Sequence, residues 1–388
     1  MVPQRRLLVA AILGFVGFVT SFGAHVVAVN LPFYAESVGV GVAVIGVLIA
    51  AYDLAEIVAK PVFGAIADRQ GMKRTMLAGI AVFTLASLAY LVVPPQLLIV
   101  IRFFQGLGAA ALSAVSLALV GTYFTRDRGR AYGVYNAIKG AGYVVSPIVG
   151  GAIVLQADFA AIFPVTAGIG VVAFLLSAAL PSPDREADLD DDDELSWSGF
   201  AAVFREPVLR PWYLVIVANM FLVGILFGFL PVRIHELRLD PLASGFFLSL
   251  VAASYLLVQP VAGALADRVA PAVTVRIGLL LGASSIVLVP LVDGLALGIV
   301  SVLAGIGVGT VWTNTDTLVS RLARKGRLGA TMGAAGSFKE LGDMVGPVLI
   351  GVLSQAFGLT TGFVVCGALG LLSLTLVRGR SAALAAET

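Results

Sequence analysis

Pro61-Val62-Phe63-Gly64-Ala65-Ile66-Ala67-Asp68-Arg69 returns 199 residues later as Pro260-Val261-Ala262-Gly263-Ala264-Leu265-Ala266-Asp267-Arg268. Each copy is an apolar run that ends on a charged turn. Three further pairs run collinear with it at offsets of 199 or 200 residues. Leu31-Pro32 returns as Leu230-Pro231, and Gly106-x-Gly108 as Gly305-x-Gly307. Lys139-x-x-Gly142-x-x-x-Ser146-Pro147 returns as Lys339-x-x-Gly342-x-x-x-Gly346-Pro347. One such match is chance. Four in order at a near-constant spacing mark an internal duplication.

Composition says what is duplicated. Of 388 residues, 59% are apolar and 12% charged, with a mean hydropathy of +1.01. A soluble domain carries about 25% charged residues to solvate its surface. This chain cannot cover a water-exposed surface, so it reads as an all-α integral membrane protein. A hydrocarbon core about 30 Å thick takes roughly 20 residues of helix. With proline, glycine and charge clusters as punctuation, twelve spans are expected: 7–33, 42–67, 75–93, 97–122, 131–155, 159–180, 211–234, 243–266, 276–292, 295–320, 329–355 and 359–378. The uncharged run between Arg6 and Glu36 is too long for a signal-peptide core and stays as the first span. Spans 9 and 10 are separated only by Asp293-Gly294.

Of the 25 lysines and arginines, all but Lys60, Arg102, Lys139, Arg233, Arg238 and Lys339 fall in loops on one side when the N-terminus is inside. Cytoplasmic loops retain these residues, so both termini are expected in the cytoplasm and the chain in the cell (inner) membrane. From Pro181 to Arg210 the sequence turns polar, with the acidic run Asp188–Glu194, which reads as a solvated linker. The expected organisation is a first bundle over 1–180, a cytoplasmic linker over 181–210, and a second bundle with a short cytoplasmic tail over 211–388. The two six-helix bundles are expected to be pseudo-symmetric about the membrane normal.

Several function classes drop out. A lone cysteine, Cys366, excludes a disulfide framework or a Cys-ligated metal. His25 and His235 lack the spacing of a zinc pair. A net charge of +2 argues against nucleic acid. No Gly-x-x-x-x-Gly-Lys-Ser/Thr loop supports ATP drive. No metal or cofactor is expected; the partners are the lipid bilayer, a small-molecule substrate and protons, for a monomeric protein.

Gly64-Ala-Ile-Ala-Asp68-Arg69-Gln-Gly71-Met72-Lys73-Arg74 resembles the loop signature between spans 2 and 3 of the major facilitator superfamily, Gly-x-x-x-Asp-Arg-x-Gly-Arg/Lys-Arg/Lys, with a small departure at Met72. Arg102-x-x-Gln105-Gly106-x-Gly108-Ala109-Ala110 is similar to that family's fourth-span motif. Gly142-x-x-x-Ser146-Pro147-x-x-Gly150-Gly151 looks like the fifth-span motif of its drug/proton antiporter branch, with Ser146 in place of a glycine. The second loop copy departs further, having Ala270 and Pro271 where the later glycine and basic pair belong. The resemblance covers the whole chain. It implies a secondary transporter working by alternating access, with proton-coupled efflux of a small organic compound as the leading activity. The alternative it allows is uptake or exchange of an anionic metabolite. It also implies that Gly64, Asp68, Arg69, Gly71, Lys73 and Arg74 form a conformational latch, with Asp68 accepting from the start of span 11, where the helix dipole favours an anion.

Ionisable groups within spans are the strongest functional signal, since each costs at least a few kcal/mol near the bilayer centre. Asp53, Glu56 and Lys60 are spaced three and four apart on one face of span 2; span 11 carries Lys339, Glu340 and Asp343. Asp53, Glu56, Arg102, Glu340 and Asp343 are the proton-coupling candidates. The bland alternative is intrahelical neutralisation, Glu56 by Lys60 and Lys339 by Asp343. Arg102 is either a coupling residue or a structural partner for a carboxylate or carbonyl on span 1. The substrate-cavity candidates are His25, Asn30, Lys139, Trp312, Asn314, Asp316 and Lys339. Lys139 could also neutralise Glu56, Asp316 could pair with Arg321 or Arg324, and His25 could simply be a hydrogen-bonded helix residue. Gly142, Ser146, Pro147, Gly150, Gly342, Gly346 and Pro347 form a helix-packing motif: small residues four apart let backbones approach in lipid, and proline bends the helix. An intramembrane aspartyl enzyme using Asp53 and Asp343 lacks its Gly-x-Gly-Asp signature, and a channel does not call for latched, duplicated halves.

Overall fold

The computed structural model describes residues 3–38, 41–124, 128–181, 206–266, 271–323 and 328–377. These residues form twelve long helices and, among them, no strand. The first six are α1 (Pro3–Val38), α2 (Val42–Gln70), α3 (Met72–Ala89), α4 (Leu98–Tyr123), α5 (Arg128–Gln156) and α6 (Ile162–Ala178). The second six are α7 (Arg210–Glu236), α8 (Pro241–Ala266), α9 (Pro271–Leu288), α10 (Gly294–Leu322), α11 (Leu328–Phe357) and α12 (Leu359–Leu372). Their outward faces carry large apolar side chains such as Leu85, Leu257 and Leu295, a surface suited to lipid rather than water.

Eleven of the segments are long and apolar enough to cross a membrane. The expected twelfth crossing, α11, has 30 residues, about 45 Å of helix. It is long enough, but Lys339, Glu340 and Asp343 near its middle make it less apolar than the rest. Span 3 is expected from residue 75, yet α3 begins at Met72. Gly71 alone separates it from α2: its φ of +100° is open to glycine, and its N–H closes α2 on the Ala67 carbonyl at 2.9 Å. Lys73 and Arg74 therefore lie in the first turn of a helix rather than in a loop.

The chain divides into two compact units, Met1–Arg185 with Ile234–Ser249, and Glu186–Arg233 with Leu250–Thr388. In the first, α5 lies along α1, and α4 packs on α2 and α3, around Leu13, Phe83, Leu112 and Tyr135. The segment Ile234–Ser249 joins this unit through close backbone approaches. A Cβ on Gly151 would meet the Pro241 carbonyl oxygen at 2.3 Å and one on Gly245 the Pro147 oxygen at 2.3 Å. Ser249 Oγ donates to the Val144 carbonyl at 2.7 Å. In the second unit, α9 packs on α10 and α12, around Trp212, Val275, Leu279 and Val311.

The duplication reappears in the packing. Gly106 of α4 sits 2.4 Å (as a Cβ) from the Tyr52 carbonyl of α2, and Gly305 of α10 sits 2.3 Å from the Val251 carbonyl of α8. Gly142 and Gly150 of α5 face α1 at Ser21 and Val26, while Gly342 and Gly346 of α11 face α7 at Val217 and Phe221. Gly106 with Gly305, and Gly142 with Gly342, are equivalent positions that serve the same seams in both copies.

Each unit also ties down its last helix with a cation. Lys73 Nζ donates to the Ala178 carbonyl at 2.8 Å and to that of Leu180, capping carbonyls that α6 leaves unpaired. Arg276 of α9 does the same at Val377, beyond α12, with Nε at 3.0 Å. Lys73→Met is expected to lower stability by about 1 kcal/mol, the worth of a cation at a partly exposed helix C-terminus, and Lys73→Arg by less. Thermal unfolding in detergent reads both.

Candidate functional site

In the first unit the centre is Arg102 on α4, only 2% exposed. Nη1 donates to Gln105 Oε1 at 2.9 Å and Nη2 to the Ala24 carbonyl of α1 at 3.0 Å. The guanidinium lies 4.5 Å over the Tyr52 ring of α2, a cation–π contact that strengthens where water is excluded. Gln105 is held in turn: its Nε2 donates to Ser87 Oγ at 3.1 Å, and Tyr90 OH donates to its Oε1 at 3.2 Å. Among the described residues Arg102 Nε has no partner. Of the two structural roles open to Arg102, the span-1 carbonyl is the one observed.

On α2, Asp53 next to Tyr52 and Glu56 one turn further on are both buried. Glu56 Oε2 lies 3.3 Å from Lys60 Nζ, the intrahelical pair that the spacing allows. The Lys139 backbone carbonyl receives Ser21 Oγ at 2.9 Å. His25 Nδ1 is 2.8 Å from the Ser21 carbonyl. A carbonyl only accepts, so Nδ1 carries the proton. The ring also meets Tyr143 edge-on at 4.6 Å, consistent with a hydrogen-bonded helix residue. Asn30 is fully buried, donates to the Val26 carbonyl at 2.9 Å, and lies against Gly150. It belongs to the α1–α5 seam and not to an open cavity wall.

In the second unit Lys339 does not pair with Asp343, four residues along its own helix. Its Nζ reaches α10 and meets Asp316 Oδ2 at 2.7 Å, beneath the Trp312 ring at 4.4 Å from the centroid. Trp312 in turn meets Tyr255 of α8 edge-on at 5.4 Å. Asp316 thus takes Lys339 as its partner; Arg324 lies outside the described residues. Asn314 is fully buried, accepting from Thr274 Oγ1 at 2.8 Å and donating to the Thr310 carbonyl at 2.8 Å. Like Asn30 it serves a helix seam. Glu340 and Asp343 are half-buried, and the Asp343 carbonyl crowds Gly224 of α7.

Of the latch residues, Gly64 faces open space, Arg69 and Arg74 are exposed, and the Asp68 side chain lies outside what is described. Ser146 and Pro147 are buried in α5. Sequence reasoning missed Tyr52, Ser87, Tyr90, Tyr255 and Thr274, since neutral polar and aromatic residues do not stand out in an apolar helix. Gln105 was visible only as part of the Arg102 motif.

The chain is 35% identical over 177 residues to the multidrug resistance protein Stp of Mycobacterium tuberculosis, an alignment covering 45% of this chain and 33% of that protein. It is 38% identical over 125 residues to the puromycin resistance protein pur8 of Streptomyces alboniger, covering 31% and 25%. These matches therefore span a third or less of the relatives' own length. Among solved structures, the nucleoside transporter NupG superposes with a TM-score of 0.80 at 13% identity, covering 96% of this chain and 98% of that one, a likeness of fold alone. The model of the Major Facilitator Superfamily matches residues 13–342 and 215–386. With well over half of its length accounted for in this way, the chain belongs to the Major Facilitator Superfamily.

Proposed function

We propose that the chain exports small organic compounds, drug-like ones included, in exchange for protons, by alternating access across the cell membrane. The observation that carries this reading is the burial of Asp53 and Glu56 in α2, a helix otherwise apolar enough to span the bilayer. Carboxylates are retained at such depth for a function, most often a proton or ion path. The resistance named in the relatives supports outward transport and a drug-like cargo class. In the same reading the protein works as a monomer with both termini in the cytoplasm, draws no energy from ATP, and uses the Gly64–Arg74 turn as its latch.

The anionic-metabolite alternative rests on three intramembrane cations, Arg102, Lys139 and Lys339. Lys339 is neutralised by Asp316, and Arg102 already serves Gln105 and the Ala24 carbonyl. That leaves the alternative with less to bind an anion. The test uses proteoliposomes with the cytoplasmic face outward and an acidic lumen. Puromycin is expected to accumulate inside, and nigericin, by collapsing the pH gradient, is expected to abolish the accumulation. Uptake that ignores the gradient would refute proton exchange.

A further inference from the structure

Lys339 occupies a setting built for a cation. Its ammonium has a carboxylate oxygen at 2.7 Å and an indole face at 4.4 Å, with Tyr255 closing the edge of that indole. A carboxylate joined to aromatic faces is the chemistry by which ammonium ligands are recognised. Two details separate this arrangement from a fixed structural ion pair. Asp316 Oδ1 is buried and has no hydrogen-bond partner among the described residues, so the carboxylate holds acceptor capacity that Lys339 does not use. The Lys339 and Asp316 side chains are 17% and 28% exposed, so the pair is reachable. Lys339 also has somewhere else to go. Its flexible four-carbon stem places Asp343, four residues on along the same face of α11, within the range of an intrahelical pair.

We propose that Asp316, Trp312 and Tyr255 form an organic-cation site that Lys339 occupies in the cargo-free protein, and that an aromatic amine or quaternary cation enters by displacing the Lys339 ammonium. This deepens the export reading by naming the charge and shape of one cargo class: a monocation with a flat aromatic body that stacks on Trp312 while its positive end takes Asp316. Lys339 acts as a resident competitor. It keeps the half-buried carboxylate neutralised when no cargo is bound, and it sets a threshold that weak cations do not pass.

The test is equilibrium binding of ethidium to the purified full-length protein, read by fluorescence anisotropy. Lys339→Met removes the competitor and keeps the length of the side chain; it is expected to tighten ethidium binding at least tenfold. Asp316→Asn and Trp312→Ala are each expected to weaken it at least tenfold. The double variant Lys339→Met/Asp316→Asn, with no half-buried charge left to neutralise, should fold and bind no better than Asp316→Asn. Ethidium binding to Lys339→Met that is unchanged or weaker overturns the proposal.

A second measurement needs no variant. Reductive methylation of the wild-type protein, followed by peptide mass spectrometry, should modify Lys339 at least threefold faster with saturating ethidium, while Lys73 keeps its rate. A Lys339 rate that is unchanged or lower overturns the proposal equally. Neither readout involves transport or a pH gradient. Failure of the puromycin accumulation test therefore strikes the export reading and leaves the cation site standing, and failure here does the reverse.

Discussion

Asp53→Asn is expected to abolish proton-driven accumulation of puromycin, by about 100-fold or more, while cargo exchange without a gradient stays within about twofold of the wild type; a hundredfold loss is about 2.7 kcal/mol of driving interaction. Asp53 is 6% exposed, within the span Val42–Lys60. A carboxylate at that depth costs several kcal/mol when charged, so one kept there is kept for a function, which on the proposed reading is to carry the exchanged proton. Asparagine has the same shape and cannot carry the proton. It also removes a burial cost rather than adding one, so the fold should tolerate it, and a loss of coupling would not reflect a loss of protein. Glu56→Gln is the internal comparison. Glu56 has Lys60 at 3.3 Å, and the Lys60 side chain is 29% exposed, with an apolar stem long enough to bring its ammonium toward water. The glutamine variant should lose little stability and retain much of the coupling. Driven accumulation that survives in Asp53→Asn would remove Asp53 from the mechanism.

The contrast between α2 and α11 shows where sequence reading succeeds and where it stops. A charge in an apolar run is conspicuous, so Asp53, Glu56, Arg102 and Lys339 could be singled out from the chain alone. Spacing rules then describe only one helix. They anticipated Glu56–Lys60, but for Lys339 they offered Asp343, whereas the ammonium crosses to Asp316 on α10. That choice depends on which helix lies alongside and how deep each group sits, and no period in the sequence records either. Asn30 and Asn314 show the same limit. A polar residue in a span suggests a cavity wall, yet both are fully buried in helix seams with backbone carbonyls accepting from them. The fold itself was legible because it repeats. Four collinear pairs fixed the duplication, and the twelve expected spans correspond one for one with α1–α12. Their ends moved by a few residues: α1 runs over Pro3–Val38 against an expected 7–33, α9 starts at Pro271 against 276, and α3 starts at Met72 because one glycine with positive φ replaced an expected loop.

The second large effect follows from those seams. Gly342→Ala and Gly346→Ala, combined, are expected to cost about 2–6 kcal/mol, taking overpacking at about 1–3 kcal/mol per site, and to lower the yield of folded protein sharply. A Cβ on Gly342 would stand 2.4 Å from the Val217 carbonyl oxygen, and one on Gly346 would stand 2.4 Å from that of Phe221. Both obstacles are backbone of α7, which cannot rotate away as a side chain can, so α11 must retreat along its length and lose dispersion contacts that lipid does not replace. Gly64→Ala supplies the opposite sign. Nothing lies within 4 Å of its Cβ position, and alanine is the better helix former by about 0.8–1.0 kcal/mol. Thermal unfolding in detergent should therefore place Gly64→Ala at or above the wild type and the α11 pair well below it. The duplication extends the argument: Gly106 and Gly305 meet the Tyr52 and Val251 carbonyl oxygens at 2.4 and 2.3 Å, so alanine at either should fail as the α11 glycines do. Equal stability of Gly64→Ala and the α11 pair would mean that small residues in these seams are not what sets the helix spacing.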